Sequence, residues 1–368
     1  MGAARIRLNF AGLLRCSGPS GLAFLILFPG PAYDAQAAKP PHESWTFTFR
    51  FENDLFAGTD LFYTNGLKLS WISPDLEWFR DLEWFRREDW ARQAVNRVID
   101  SLPFSSDTSR QRNLSLSVGQ MMFTPSDIAR AELILDDRPY AGWLYGSAAF
   151  HSKTYRVLDT FEVQGGLTGP WSLTEQAQDL IHDLRGIDKA RGWDNQIDTE
   201  LGVAIIYDRK YRFLPRTDLL ELWGIDAIGH IGGAAGTVFT DFSAGMELRA
   251  GWNIPTDFGT ALIRPAGETN APTDTSDPRY SGSGGEFSFH VFGAATGRVV
   301  ARDIFLDGNT FSDSHSVDKK LLYGDLVVGA SLVYSRFKLS YAHVFRSEQF
   351  ELQKSGQNFG SISLSFTY

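Results

Sequence analysis

Three polar clusters in this 368-residue sequence carry residue types and spacings suited to chemistry. The first is FENDLFAGTDLFYTNGLKLSW (Phe51–Trp71). It gathers Glu52, Asn53 and Asp54, then Thr59-Asp60, then Tyr63-Thr64-Asn65-Gly66. Carboxylate, amide and hydroxyl oxygens this close are ligands for a hard divalent cation such as calcium. Asn and Thr also donate hydrogen bonds to a developing oxyanion. The competing reading is a hairpin turn, because Asn65-Gly66 is a strong turn dipeptide. The EF-hand spacing is absent.

The second cluster is LDDRPYAGWLY (Leu135–Tyr145), where Arg138 offers a bidentate fork to a phosphate or carboxylate. A loop ion pair with a neighbouring Asp is the alternative. The third runs from Gly166 to Glu200 and contains a short helix. Ser172 and Glu175 read as its capping box and Gly186 as its stop. Gln178 and His182, four apart, share one helix face. His182 is the best general-base candidate among seven histidines; a solvated surface histidine is the plain alternative. The patterns G-x-S-x-G, H-E-x-x-H and the P-loop are all absent.

These clusters need a scaffold, and the rest of the sequence describes one. Period-2 alternation recurs in segments such as WTFTFRF (Trp45–Phe51), NLSLSVGQMMF (Asn113–Phe123) and FKLSYAHVF (Phe337–Phe345). The pattern gives about 12 strands and an all-β fold, a transmembrane antiparallel β-barrel with short helices in its loops. The chain ends GSISLSFTY, with Ile362, Leu364, Phe366 and Tyr368 on one face. A soluble sandwich is the alternative. Mean hydropathy of −0.19 resembles a soluble protein, but lipid-facing and lumen-facing residues cancel in a barrel. Residues 1–37 read as a signal peptide: Arg5, Arg7 and Arg15, the apolar run Gly21–Phe28, then Ala35-Gln36-Ala37. The single cysteine, Cys16, lies there, so residues 38–368 have no thiol chemistry. The net charge of −9 disfavours a nucleic-acid partner.

If both barrel ends are periplasmic, odd-numbered loops face outward, and all three clusters meet at that end. Strand 6 reads as Glu200–Asp208 and strand 7 as Leu220–Gly233. Two segments depart from a plain barrel. Residues 74–103, with the tandem DLEWFRDLEWFR, read as a helical insertion, either lying on the inner leaflet or packed on the barrel base. Pro255–Gly285 reads as a loop without periodicity.

Taken jointly, these residues resemble the LpxR-type family of outer-membrane lipid A 3′-O-deacylases. The resemblance is carried by Asn53-Asp54, Tyr63-Thr64-x-Gly66, Asp137-Arg138, Gly169-Pro170, Gln178, His182 and Trp193-x-x-Gln196-Ile197. It implies a 12-stranded barrel, an outer-leaflet site and a divalent cation, typically calcium. His182 would act as general base on a water that attacks the 3′ acyloxyacyl ester, with Asn53 and Thr64 at the oxyanion. Gln178 would orient His182 or substrate. Asp54 is the first choice for a metal-linked carboxylate, with Glu52 beside it. Arg138, Arg130, Asp188 and Tyr63 would contact substrate. Asp188 and Arg130 match the family's acidic and basic positions only loosely. The implied partner is lipid A, or lipopolysaccharide, in the outer leaflet, met by a monomer. Two other readings remain open at this point: a phospholipase using the same ester chemistry, and a non-catalytic barrel or pore.

Overall fold

The computed structural model describes residues 43–57, 62–76, 109–220, 223–264, 268–280 and 287–368, with isolated positions 93, 97 and 107. Its strands are β1 (Thr46–Asn53), β2 (Phe62–Ile72), β3 (Gln111–Thr124), β4 (Ala141–Lys153), β5 (Val157–Thr168) and β6 (Leu201–Leu220). They continue as β7 (Trp223–Gly236), β8 (Phe239–Trp252), β9 (Phe287–Asp303), β10 (Leu322–Tyr334), β11 (Phe337–Arg346) and β12 (Gln357–Thr367). Each pairs antiparallel with its chain neighbour, and β1 closes on β12 from Thr46↔Thr367 to Asn53↔Gly360. Closure leaves no unpaired strand edge, which a wall in hydrocarbon requires. Two α-helices, α1 (Thr174–Arg185) after β5 and α2 (Ile304–Asp307) after β9, and three short 3-10 turns at Asp54–Ala57, Gly169–Ser172 and Trp193–Asn195 complete the described elements.

The alternation that marked the strands sorts residues between two faces. In β1, Thr46, Thr48, Arg50 and Glu52 are buried inside, while Phe47, Phe49 and Phe51 are only partly covered. In β3, Ser115 and Ser117 point inward, and Leu116 and Val118 are more than half exposed. The outer face is therefore apolar and the inner face polar, as a membrane barrel needs.

Two strand boundaries depart from expectation. β6 runs 20 residues, far past Asp208. Pro215 lies within it where the β6–β7 register shifts, between Leu214 and Thr217. A bulge tolerates the missing N–H. β2 begins at Phe62, so Asn65-Gly66 is not a hairpin turn; these residues pair with Asn53 and Glu52. Gly66 is needed there for close approach, since a Cβ would stand 2.0 Å from the Tyr63 hydroxyl oxygen.

The segment between β8 and β9, expected to be a plain loop, folds back into the barrel. Phe258 packs against Leu158 and Ile228, and Ile263 joins the main core with Trp143 and Tyr145. Buried charge pairs pin it. Asp257 meets Arg249 (2.7 Å), Lys338 (2.7 Å) and Arg279 (3.2 Å), and Glu268 meets Arg50 (2.8 Å). At this depth an unpaired charge would be costly, so each is matched. A void of about 60 Å³ beside His230 and Glu247 remains, room for a few waters rather than a solute path.

The signal segment expected at 1–37 lies outside the described residues. So does most of the helix expected over 74–103, though Gln93 and Arg97 are helical.

Candidate active site

Register places the polar cluster on the outer wall. Asn53 is the next residue on the face that carries Phe47, Phe49 and Phe51. Asn65 shares the outer face of β2 with Leu67, Leu69 and Trp71. The β2–β3 pairing shifts between Tyr63 and Asn65, and this bulge turns Thr64 to the same side. Thr64 Oγ1 lies 2.8 Å from Thr124 Oγ1, and Asn53 Nδ2 donates to the Thr64 carbonyl at 2.8 Å.

Helix α1 packs against this outer face. Trp143 and Tyr145 belong to the interior core, so Gly142 points outward. A Cβ there would lie 2.1 Å from both Ser172 Oγ and Thr174 Oγ1. Glycine thus lets the helix start touch the wall. Gln120 Nε2, also outward, donates to the Ser172 carbonyl at 2.7 Å.

The helix start differs from the expected capping box. The Ser172 hydroxyl donates back to the Gly169 carbonyl (2.6 Å), within the 3-10 turn Gly169–Ser172, and approaches Thr174 Oγ1. Leu173, at φ 58°, is the N-cap and makes no side-chain cap. The tight turn that Gly169-Pro170 imposes consumes the hydroxyl a capping box would have used. The far end is as expected: Gly186 ends the helix at φ 65°.

Thr174, Gln178 and His182 form the buried face. His182 Nδ1 lies 2.6 Å from the backbone oxygen of Asp188. A carbonyl only accepts, so Nδ1 carries the proton, and Nε2 of the neutral ring is the basic nitrogen. Gln178 is fixed in the same way. Trp193 Nε1 only donates, and it donates to Gln178 Oε1 at 2.8 Å. The amide nitrogen therefore points away from the indole; it is buried and, among the described residues, has no hydrogen-bond acceptor. Asn53, Thr64, Asn65, Met122, Gln178, Ile181, His182 and Arg185 line one cleft between α1 and the wall.

The structure thus brings Asn53, Thr64, Gln178 and His182 together. It separates others. Glu52 and Tyr63 face the interior: the Tyr63 hydroxyl donates to Glu52 Oε2 (2.8 Å), and Ile263 N donates to Glu52 Oε1 (2.7 Å). Their expected roles as metal ligand and substrate contact are corrected, because side chains alternate across the wall. Arg138 is corrected too. It is 1% exposed, lies over the Phe123 ring (4.5 Å) and donates to the Phe305 carbonyl (3.3 Å). Burial pushes its guanidinium down to about 10, against the pull of Asp303 and Asp137. Asp188 contributes a backbone carbonyl to His182; its side chain is exposed. Arg130 is half exposed and 3.9 Å from Glu132, outside the cleft lining. Asp54 is fully buried at the start of the turn after β1.

Met122, Thr124 and Arg185 were not anticipated, and Asn65 was named only within the first polar cluster and as a turn residue. The signal for Asn65, Met122 and Thr124 was parity: each shares its outer face with apolar strand neighbours. Among the described residues no three His, Cys, Asp or Glu side chains gather as a ligand set. The oxygens lining the cleft are the amides and hydroxyl of Asn53, Asn65 and Thr64; the buried carboxylate of Asp54 follows Asn53 in the chain but is not part of that lining. Asn65 Oδ1 is buried with no donor among the described residues. All are hard donors, which fits calcium and not zinc.

A family model described as "Outer membrane protein LpxR" matches residues 21–368. Among solved structures, LpxR from Salmonella typhimurium aligns with TM-score 0.66 at 16% identity, covering 87% of this chain and 99% of that one. The β domain of the Bordetella autotransporter Brka aligns at TM-score 0.40 and 10% identity, covering 91% and 99%. No curated protein matches. At 16% identity the Salmonella structure shows the fold.

Proposed function

The chain belongs to the LpxR outer-membrane protein family, lipid A 3′-O-deacylases, and from that premise we propose how this ester hydrolase works. His182 Nε2 takes a proton from a water in the cleft. The water oxygen attacks the carbonyl carbon of the 3′-linked acyl ester. As the tetrahedral intermediate collapses, the bond to the sugar 3′ oxygen breaks, and His182 returns the proton to that oxygen. The products are a free carboxylic acid and lipid A with a 3′ hydroxyl.

The observation that carries this reading is the contact between His182 Nδ1 and the Asp188 carbonyl, which sets the tautomer of a base facing the lipid side of the wall. Gln178 supports it. Its buried amide nitrogen is a donor with no acceptor among the described residues, suited to a developing oxyanion. Asn53 and Thr64, tied to each other, stand opposite. Asp54, Asn53 and Asn65 would hold a calcium ion, which when bound supplies a Lewis acid for the ester carbonyl. The inward-folded segment speaks against a pore.

The test is mass spectrometry of lipid A from cells carrying the wild type or His182→Ala. Loss of the 3′ acyl chain with the wild type alone is expected. Unchanged lipid A with accumulating lysophospholipid would point to a phospholipase and overturn the assignment.

A further inference from the structure

Helix α1 has three edges. Thr174, Gln178 and His182 face the wall. Leu180 and Leu184, at i and i+4, form a second edge and are 59% and 72% exposed; Leu173, the left-handed N-cap, is 52% exposed at the helix start. Trp171 and Ile187 extend this edge at the two ends, and both are exposed. Glu175, Asp179 and Asp183, at i, i+4 and i+8, form the third. Lys189 spans Asp179 (3.1 Å) and Asp183 (3.0 Å) there. At 3.6 residues per turn, the leucine and carboxylate edges fall on opposite sides of the buried face.

A helix laid flat on a wall therefore points its carboxylate edge along the wall to one side, and its leucine edge away from the wall and to the other side. The wall in question is the barrel's apolar outer surface. Leu116 and Val118 lie below the site on β3, and Leu201 and Val203 lead into β6 from the same loop, all exposed. The leucine edge is continuous in character with this belt. Exposed Leu180 and Leu184, with Leu173, Trp171 and Ile187 exposed at the helix ends and the carboxylates gathered on a separate edge, give the pattern of a helix at a membrane interface.

We propose that α1 lies in the plane of the outer-leaflet interface, its leucine edge among the acyl chains and its carboxylate edge among the headgroups. Its occupant is the lipid leaflet itself. Its function is to hold the His182 face at the depth where acyl chains meet sugar. The proposal rests on the barrel's place in the membrane and not on the ester chemistry, so either can fail alone.

The test uses the full chain with Cys16→Ser, giving a cysteine-free background. Single changes Leu180→Cys, Leu184→Cys, Asp179→Cys and Asp183→Cys each take a nitroxide label. All four sites are on the outer surface of the helix, and heat-modifiable gel mobility reports barrel closure. Proteins are refolded into phosphatidylethanolamine–phosphatidylglycerol vesicles. Relaxation by oxygen, which partitions into lipid, is compared with relaxation by a water-soluble nickel chelate. The oxygen-to-nickel ratio at 180 and 184 should exceed that at 179 and 183 severalfold. Equal ratios would place both edges in water and overturn the proposal. Exclusion of both agents at 180 and 184 would mean a protein covers the edge, which also overturns it.

Discussion

Glu52 and Asn53 are consecutive in β1 and stand on opposite faces of the barrel wall. Asn53 lines the cleft beneath α1, while Glu52 receives hydrogen bonds from Tyr63 and from Ile263 of the inward-folded segment. Tyr63 in turn precedes Thr64, another cleft residue. One side of the wall carries the site, and the other side braces it.

Tyr63→Phe removes the brace without touching the cleft. A charge-assisted hydrogen bond of about 1.5–3 kcal/mol is lost. Deacylation should slow by roughly tenfold at most, in kcat rather than KM. Gly66→Ala should do the same, because its methyl would displace the Tyr63 hydroxyl. Rates in mixed micelles of lipid A check both. A Tyr63→Phe enzyme with wild-type kcat would show that the two faces are uncoupled.

His182→Ala should lower the rate by roughly 10²–10⁴-fold, the usual worth of a general base. Asp188→Ala should leave most activity, since the contact to His182 uses the main chain and not the carboxylate. Steady-state kinetics of the pair separates these roles. Collapse of activity in Asp188→Ala would instead assign work to the carboxylate.

Arg138→Ala should affect stability and spare KM. The change removes a buried guanidinium over Phe123 and a bond to the Phe305 carbonyl, together about 2–3 kcal/mol. Urea unfolding in detergent reads the loss. A raised KM with an unchanged unfolding midpoint would return Arg138 to the substrate.

Glu200, just before β6, yields a pH dependence. Burial raises its pKa, but donors from Thr310, Asn309 and Phe311 outweigh this and hold the carboxyl below the ordinary glutamate range. A depressed folded value stabilises the fold above the unfolded pKa. That contribution fades as pH falls through the folded value. The Glu200→Gln variant should therefore lose stability relative to wild type at pH 7, with the gap closing toward pH 3. Urea midpoints across that range test it, and a constant gap would rule out the linkage.

Calcium removal by a chelator should reduce turnover, with recovery on adding calcium but not magnesium, which resists a site short of carboxylates. Asp54→Asn should raise the calcium concentration needed for half-recovery. Full activity in excess chelator would remove the cation from the reaction.

The barrel was legible in the sequence because alternation is a property of each strand alone. All 12 strands lie where that pattern fell, with boundaries misplaced where local chemistry misled. Strand 6 was bounded at Asp208, where the clean alternation stops, and β6 runs on through a bulge at Pro215. Asn65-Gly66 looked like a turn and lies within β2. The site was legible in part. Gln178 and His182 share a face by simple helical spacing. Glu52 and Tyr63 were grouped with it because they adjoin Asn53 and Thr64 in the chain, yet adjacency in a strand means opposite faces. The Phe47-Phe49-Phe51 parity held that answer for Asn53. The bulge at Thr64 did not announce itself, because nothing in residues 62–66 requires it. The segment after β8 was illegible for a different reason: its partners, Arg50, Arg249 and Lys338, are far away in sequence.

A cleft on the outside of the wall meets its substrate by lateral diffusion. Lipid A would reach His182 without leaving its leaflet, and the released acid would remain among its neighbours. The relevant affinity is then a mole fraction of the surrounding lipid, not a molarity in water. Surface dilution with inert lipid should slow this enzyme, while diluting the whole suspension should not.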